Sequence, residues 1–197
     1  MKLYKLYKQF KKKLILFITM LSHQTEKMET VKQDSETFKP LSDKWTLWAH
    51  LPHNTDWTLK SYIPIYTFET VEETIAITET LPPSLVENCM LFVMRKGINP
   101  IWEDPQNRDG GCFSYKVLSK SIYIAWKELT YSIVGSSISN KAGFMDSVSG
   151  ITISPKKNFC IIKIWMKNCN FQNPAIINPI KGLQTSGCLF KKHTPEY

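Results

Sequence analysis

Residues 150–166 read GITISPKKNFCIIKIWM: two segments rich in β-branched residues, with apolar side chains at every second position, joined by the four residues PKKN. A connection that short can only fold the chain back on itself, because a parallel partner strand needs a crossover of a dozen residues or more. The sheet of this protein therefore contains an antiparallel hairpin, and any fold built only from βαβ units is excluded.

Other stretches extend that frame. KWTLWAHL (44–51) and SYIPIYTF (61–68) alternate apolar and polar residues and carry aromatic and β-branched types, the mark of half-buried strands. NCMLFVMRK (88–96), CFSYKVL (112–118) and CLFKK (188–192) read the same way. TVEETIAITETL (70–81) places Val71, Ile75 and Ile77 near helical spacing, with acids early and Pro82-Pro83 as its stop. Ile122, Trp126, Leu129 and Ile133 recur at i, i+4, i+7 and i+11, which predicts a helix with Ser119 or Ser121 as N-cap and Gly135 as its end. NPAIINPIKGL (173–183) predicts a short last helix. Strands with hairpins and three helices give an α+β fold, an antiparallel sheet with its helices on one face. Neither GxGxxG nor GxxxxGK[ST] occurs, and no internal repeat is present.

The net charge of +8 suggests a nucleic-acid partner until it is divided along the chain. Residues 1–28 hold seven Lys against Glu26, so residues 29–197 carry only +2, and a basic function there must be local. MKLYKLYKQFKKK followed by LILFITML has the basic and apolar regions of a secretory signal. The apolar run is too short to span a bilayer, and no small-x-small cleavage site follows. The alternatives are a basic amphipathic extension that touches membranes or RNA, or an upstream start with Met20 or Met28 as the initiator. Residues 1–37 are read as an extension ending in a disordered polar leader, and residues 38–197 as one domain. Five Cys without a CxxC pair, and without His at ligand spacing, argue against a disulfide framework and a zinc site, and favour a reducing compartment.

PIWEDPQNRDGG (100–111) sets Trp102 beside Glu103 and Asp104 on a loop closed by two glycines. An exposed Trp suits a flat cation, and a carboxylate beside it can accept the two N–H groups on a guanine edge. Equally, Trp102 can pack at a strand edge while both acids are solvated. A glycosidase-like acid pair is disfavoured, since adjacent residues on an extended segment point to opposite faces.

KPLSDKWTLWAHLPHNTDW, YTFETVEE, IWEDPQNRDGG, AWKELTYSIVG and GITISPKKNFCIIKIW, in this order and at these separations, resemble the messenger-RNA cap-binding family of translation initiation factor 4E over about residues 38–167. The resemblance implies a curved antiparallel sheet backed by three helices on its convex face. It implies a non-enzymatic, cytoplasmic protein with no cofactor and no metal, whose partners are capped mRNA and a scaffold factor. It puts Trp57 and Trp102 on the two faces of the 7-methylguanine, Glu103 on its edge and Trp165 against the 7-methyl group. Lys156 falls where the family has a phosphate-binding Arg, but the next two family Lys positions hold Asn158 and Ile161. Lys157 is adjacent, and Lys163, on the face of Trp165 by the period of two, is a substitute source of charge. Pro40, Leu41, Val71, Glu128 and Val134 fit the family's partner surface, while Ile75 replaces its Trp, and Lys127 and Tyr131 replace Leu. Such a groove implies weak or rewired scaffold binding, with Lys127 requiring an acid from the true partner. A cap-binding repressor is the alternative within the family, and a membrane-associated basic protein on the same fold is the alternative outside it. Lys191, Lys192 and His193 receive no role.

Overall fold

The computed structural model describes residues 2–32 and 38–195. Seven strands form one sheet: β1 (Pro40–His50), β2 (Tyr62–Thr70), β3 (Met90–Arg95), β4 (Gly111–Leu118), β5 (Val148–Pro155), β6 (Phe159–Met166) and β7 (Leu189–Lys192). They lie in the order β2-β1-β3-β5-β6-β4-β7, every neighbouring pair antiparallel. Helices α1 (Lys2–Lys32), α2 (Val71–Thr80), α3 (Pro83–Asn88) and α4 (Ile122–Val134) complete the α+β architecture.

Side-chain alternation divides the sheet into two faces. Trp45, Leu47 and Ala49 of β1, Leu91 and Val93 of β3, and Ile162, Ile164 and Met166 of β6 enter one large core with the helices. Trp48, Phe92, Met94 and Trp165, offset by one residue, form a smaller aromatic cluster on the opposite, open face. The period of two thus builds a packed side and a site side from the same strands.

Local chemistry sets the helix ends. Thr70 Oγ1 accepts from the Glu73 N–H, and the buried Glu73 carboxylate accepts from the Thr70 N–H, a capping box that starts α2. Pro82-Pro83 ends α2 but also begins α3, since Pro83 stands at the first helical position, where its missing N–H costs nothing. Gly135 ends α4 as expected, whereas Ser121 precedes it without a capping side-chain bond. The helix expected within 173–183 is instead a single 3-10 turn, Pro174–Ile176, so α3 is the third helix against the sheet.

The N-terminal expectation is corrected more sharply. Residues 2–32 form α1, and Phe10, Leu14, Phe17 and Leu21 are buried in the main core, with Lys13 Nζ donating to Ser84 Oγ of α3. Spacings of four, three and four put those four side chains on one helix face, and burying each stabilises the docked helix by about 1.5–3 kcal/mol. Met1 and residues 33–37 of the expected extension lie outside the described residues. No described helix is long and apolar enough to cross a membrane, and all five cysteines are free thiols.

Candidate functional site

The open face carries a continuous row of ring contacts. Trp57 lies parallel to His50, with centroids 4.4 Å apart and planes within 2°. His50 contacts Tyr62 at 5.0 Å, Tyr62 contacts Phe92 at 5.4 Å, and Phe92 contacts Trp165 at 6.4 Å. Trp165 meets His193 at 4.9 Å, and His193 is stacked on Trp102 at 5.5 Å with an interplanar angle of 16°. An indole therefore stands at each end of the row. Trp57 is 58% exposed and Trp102 half-buried, while the rings between them are buried.

Each terminal indole sits on a locally braced loop. In the β1–β2 connection the Asn54 side chain accepts from the Asp56 N–H at 3.0 Å, and Asp56 accepts from the Thr58 N–H at 2.8 Å, so two successive turns present Trp57. Those bonds to Thr58 hold the Asp56 carboxyl below its ordinary pKa. In the β3–β4 loop, buried Asp104 accepts from the Asn99 N–H (2.9 Å), Asn99 Nδ2 (3.0 Å) and the Gln106 N–H (2.9 Å). Asn107 Nδ2 donates to the Asn99 and Ile101 carbonyls, both at 2.9 Å. The two adjacent acids thus separate: Asp104 is internal scaffolding and Glu103 is exposed. The closing glycines are sterically required, because a Cβ on Gly110 would fall 1.8 Å from the Met166 carbonyl oxygen, and one on Gly111 2.6 Å from that of Lys191.

Among the residues expected from sequence, Trp102, Trp165 and Lys163 come together, with Lys163 Nζ 5.5 Å from the Trp102 ring centroid. Trp57 reaches them through the ring row rather than directly. Lys156 and Lys157 are exposed at the tip of the β5–β6 hairpin, and among the described residues neither makes a ring contact. Trp45 and Trp126 are core residues, whereas Trp48 belongs to the open face. Trp48 Nε1, Trp165 Nε1, Thr152 Oγ1 and His193 Nε2 are buried without a partner among the described residues, leaving this face with unspent hydrogen-bonding capacity.

His50, Tyr62, Phe92 and His193 had no place in the sequence reading of the site. The alternation of β1 already put His50 on the face of Trp48, so that signal was available. His193 carried none, since its place follows from β7 pairing with β4, between strands far apart in the chain.

The opposite side of the molecule bears an apolar groove of about 480 Å³ lined by Leu41, Val71, Thr74, Ile75, Glu79, Lys127, Tyr131, Val134 and Gly135. Six of the eight residues expected there line it; Pro40 and Glu128 stand outside its lining. Lys127 is ion-paired with Glu79, which also accepts from the Tyr131 hydroxyl at 2.9 Å. Lys127 accordingly needs no acid from a partner, contrary to expectation. Lys127, then Tyr131, hold the Glu79 carboxyl below its ordinary pKa.

Comparison with known proteins agrees with this geometry. The model of the family described as eukaryotic initiation factor 4E matches residues 40–193. The Candida albicans protein named eukaryotic translation initiation factor 4E is 30% identical over 168 residues, covering 76% of this chain and 78% of that one. The solved Schistosome eIF4E, complexed with m7GpppG and 4E-BP, aligns with a TM-score of 0.62 at 23% identity, over 68% of this chain and 75% of that one. Ascaris suum eIF4E-3 with an m7G cap aligns with a TM-score of 0.61 at 20% identity, over 68% and 76%. With its sheet order, its two loop tryptophans and these matches, the chain belongs to the eukaryotic initiation factor 4E family.

Proposed function

We propose that this protein binds the 7-methylguanosine 5′ cap of mRNA in translation initiation, by recognition rather than catalysis, in the cytoplasm. The observation that carries this reading is the ring row with an indole at each end, Trp57 on one loop and Trp102 on the other, and Glu103 exposed beside the second. Methylation at N7 gives guanine a delocalised positive charge, so stacking on two indoles gains cation–π energy that an unmethylated base lacks. Each stacked face contributes about 1–3 kcal/mol by analogy with base–aromatic stacking elsewhere. Glu103 accepts the guanine edge, and Trp165 packs near the methyl group. Lys163, with Lys156 and Lys157 on the hairpin, supplies phosphate charge. The cap ligands named for the Schistosome and Ascaris structures support this reading.

Titration of the protein with 7-methyl-GTP and GTP tests it. The expected preference for the methylated nucleotide is at least about tenfold, or about 1.4 kcal/mol; equal affinity overturns the reading.

A second reading has its own observation. Ile75 stands in the groove where the family resemblance implies Trp, and Lys127 is closed onto Glu79. A cap-binding repressor, which occupies messages without recruiting the usual scaffold, fits such a groove. Capture of a Tyr-x-x-x-x-Leu scaffold peptide by the wild-type protein would favour the initiation role.

A further inference from the structure

Two of the four histidines are buried, and both do the same thing. His50, 2% exposed, lies flat against Trp57 and donates from Nε2–H to the carbonyl of Asp56, the residue before that Trp, at 2.9 Å. His193, 6% exposed, lies flat against Trp102 and donates from Nδ1–H to the carbonyl of Asn107, in the loop that carries Trp102, at 2.7 Å. The backbone N–H of His193 also donates to the Gly110 carbonyl at 3.0 Å. A phenyl ring could supply the stacking surface but not the N–H that ties the loop. His23 and His53, the other two, are exposed.

We propose that His50 and His193 are positioning residues that brace the two base-stacking tryptophans, and that protonation of His193 weakens binding of a cationic base. The proposal rests on the reading of Trp57 and Trp102 as the cap stack. Each imidazole stacks on its indole and fixes the loop, so that the indole plane is set before a guest arrives, and the ordering cost of binding falls.

The acid response follows from the tautomer. Donation to the Asn107 carbonyl makes Nδ1 the protonated nitrogen and leaves Nε2 a bare acceptor, buried with no partner among the described residues. A second proton at Nε2 finds no acceptor there. The charged groups facing the ring are the Lys163 ammonium from β6 and the Glu103 carboxylate from its own loop; Lys191 and Lys192 precede it on β7. Burial, first, and then Lys163 oppose the charge, while the Asn107 bond and Glu103 favour it, and the ring titrates below its ordinary 6.5. Once protonated, His193 presses a cation on the same indole that must hold the methylated base, and the two repel.

The experiment is a 7-methyl-GTP titration of the full chain from about pH 7 to about pH 5.5, with thermal midpoints, for wild type, His50→Ala, His193→Ala, His50→Phe and His193→Phe. At the higher pH each Ala variant is expected to bind about tenfold more weakly, and each Phe variant, which keeps the ring but loses the N–H, to fall between Ala and wild type. Across the range wild type is expected to weaken, by less than about tenfold because the ring titrates below 6.5, and His193→Phe to weaken less, with nucleotide titration common to both. Unchanged affinity in both Ala variants, or parallel pH profiles in wild type and His193→Phe, overturns the proposal. Tighter binding by His193→Ala also overturns it, by making the ring a plug. GTP serves as the control for the parent reading, which falls if wild type fails to discriminate. Ligand-free indole emission then decides the contact independently: acid quenching present in wild type and absent in Trp102→Phe and His193→Phe supports the brace, and quenching unchanged in those variants refutes it.

Discussion

Lys127 of α4 and Glu79 of α2 are ion-paired across the apolar groove, with the Tyr131 hydroxyl on the same carboxylate. The pair fastens the two helices together across the groove. Ile75, 47% exposed, is the largest apolar side chain left open at that site. Replacing Ile75 by Trp and Lys127 by Leu restores an aromatic anchor and frees the groove. The double variant is expected to bind a generic Tyr-x-x-x-x-Leu peptide at least about tenfold more tightly than wild type. Its 7-methyl-GTP affinity is expected to stay the same, since the ring row lies on the other face of the sheet. Both are read by fluorescence titration, and tight wild-type peptide binding would refute this account of the groove.

Trp102 and Trp126 differ in what their loss should do. Trp126 is 2% exposed within the main core, so Trp126→Ala leaves a cavity and is expected to cost about 3–5 kcal/mol in chemical denaturation. Trp102→Ala, Trp57→Ala and Glu103→Ala are expected to leave the unfolding midpoint nearly unchanged while weakening nucleotide binding. A Trp102→Ala protein that unfolds, with no separate binding defect, would reduce that loop to packing.

Asp104 supports the loop without facing the guest. Its carboxylate satisfies three N–H donors, and Asp104→Ala leaves them without an acceptor in a half-buried setting, at a cost of about 1–3 kcal/mol. Binding should weaken with stability in this variant, in contrast to Glu103→Ala. Paired thermal melts and 7-methyl-GTP titrations separate the two acids.

The buried His193 also makes stability depend on pH. Its folded pKa lies below the ordinary 6.5, so below that value the unfolded chain binds more protons than the folded one. The contribution is fully present above pH 6.5 and is lost as pH falls through the folded pKa. Urea midpoints for wild type should decline across that window, and those for His193→Phe should decline less.

Phe17 tests the docking of α1. It is 1% exposed in the core, and Phe17→Ala is expected to cost about 3 kcal/mol by the usual range for aromatic truncation. An unaltered midpoint, measured on the full chain, would mean that α1 does not hold to the domain in solution.

Period and spacing alone determined which strand residues face the helices and which face the site. Trp45, Leu47 and Ala49 against Trp48 and His50 follow from alternation, because adjacent strand residues must point to opposite sides. The hairpin at PKKN, α2 and α4 were legible for the same reason, each encoded within a few residues of itself. The order of tryptophan-centred motifs carried the family, and with it the indoles at the two ends of the row. What only the tertiary structure decided are contacts between segments that no local period relates. The basic N-terminus read as a signal or leader because its apolar residues had no visible partner; α1 exists through the core that receives Phe10, Leu14, Phe17 and Leu21. His193 reaches a loop carbonyl 86 residues away because β7 pairs with β4, and Lys127 finds Glu79 because α4 lies beside α2. Burial and pairing of this kind depend on the strand order, which several arrangements of the same periodic segments could satisfy, and packing energy selects among them.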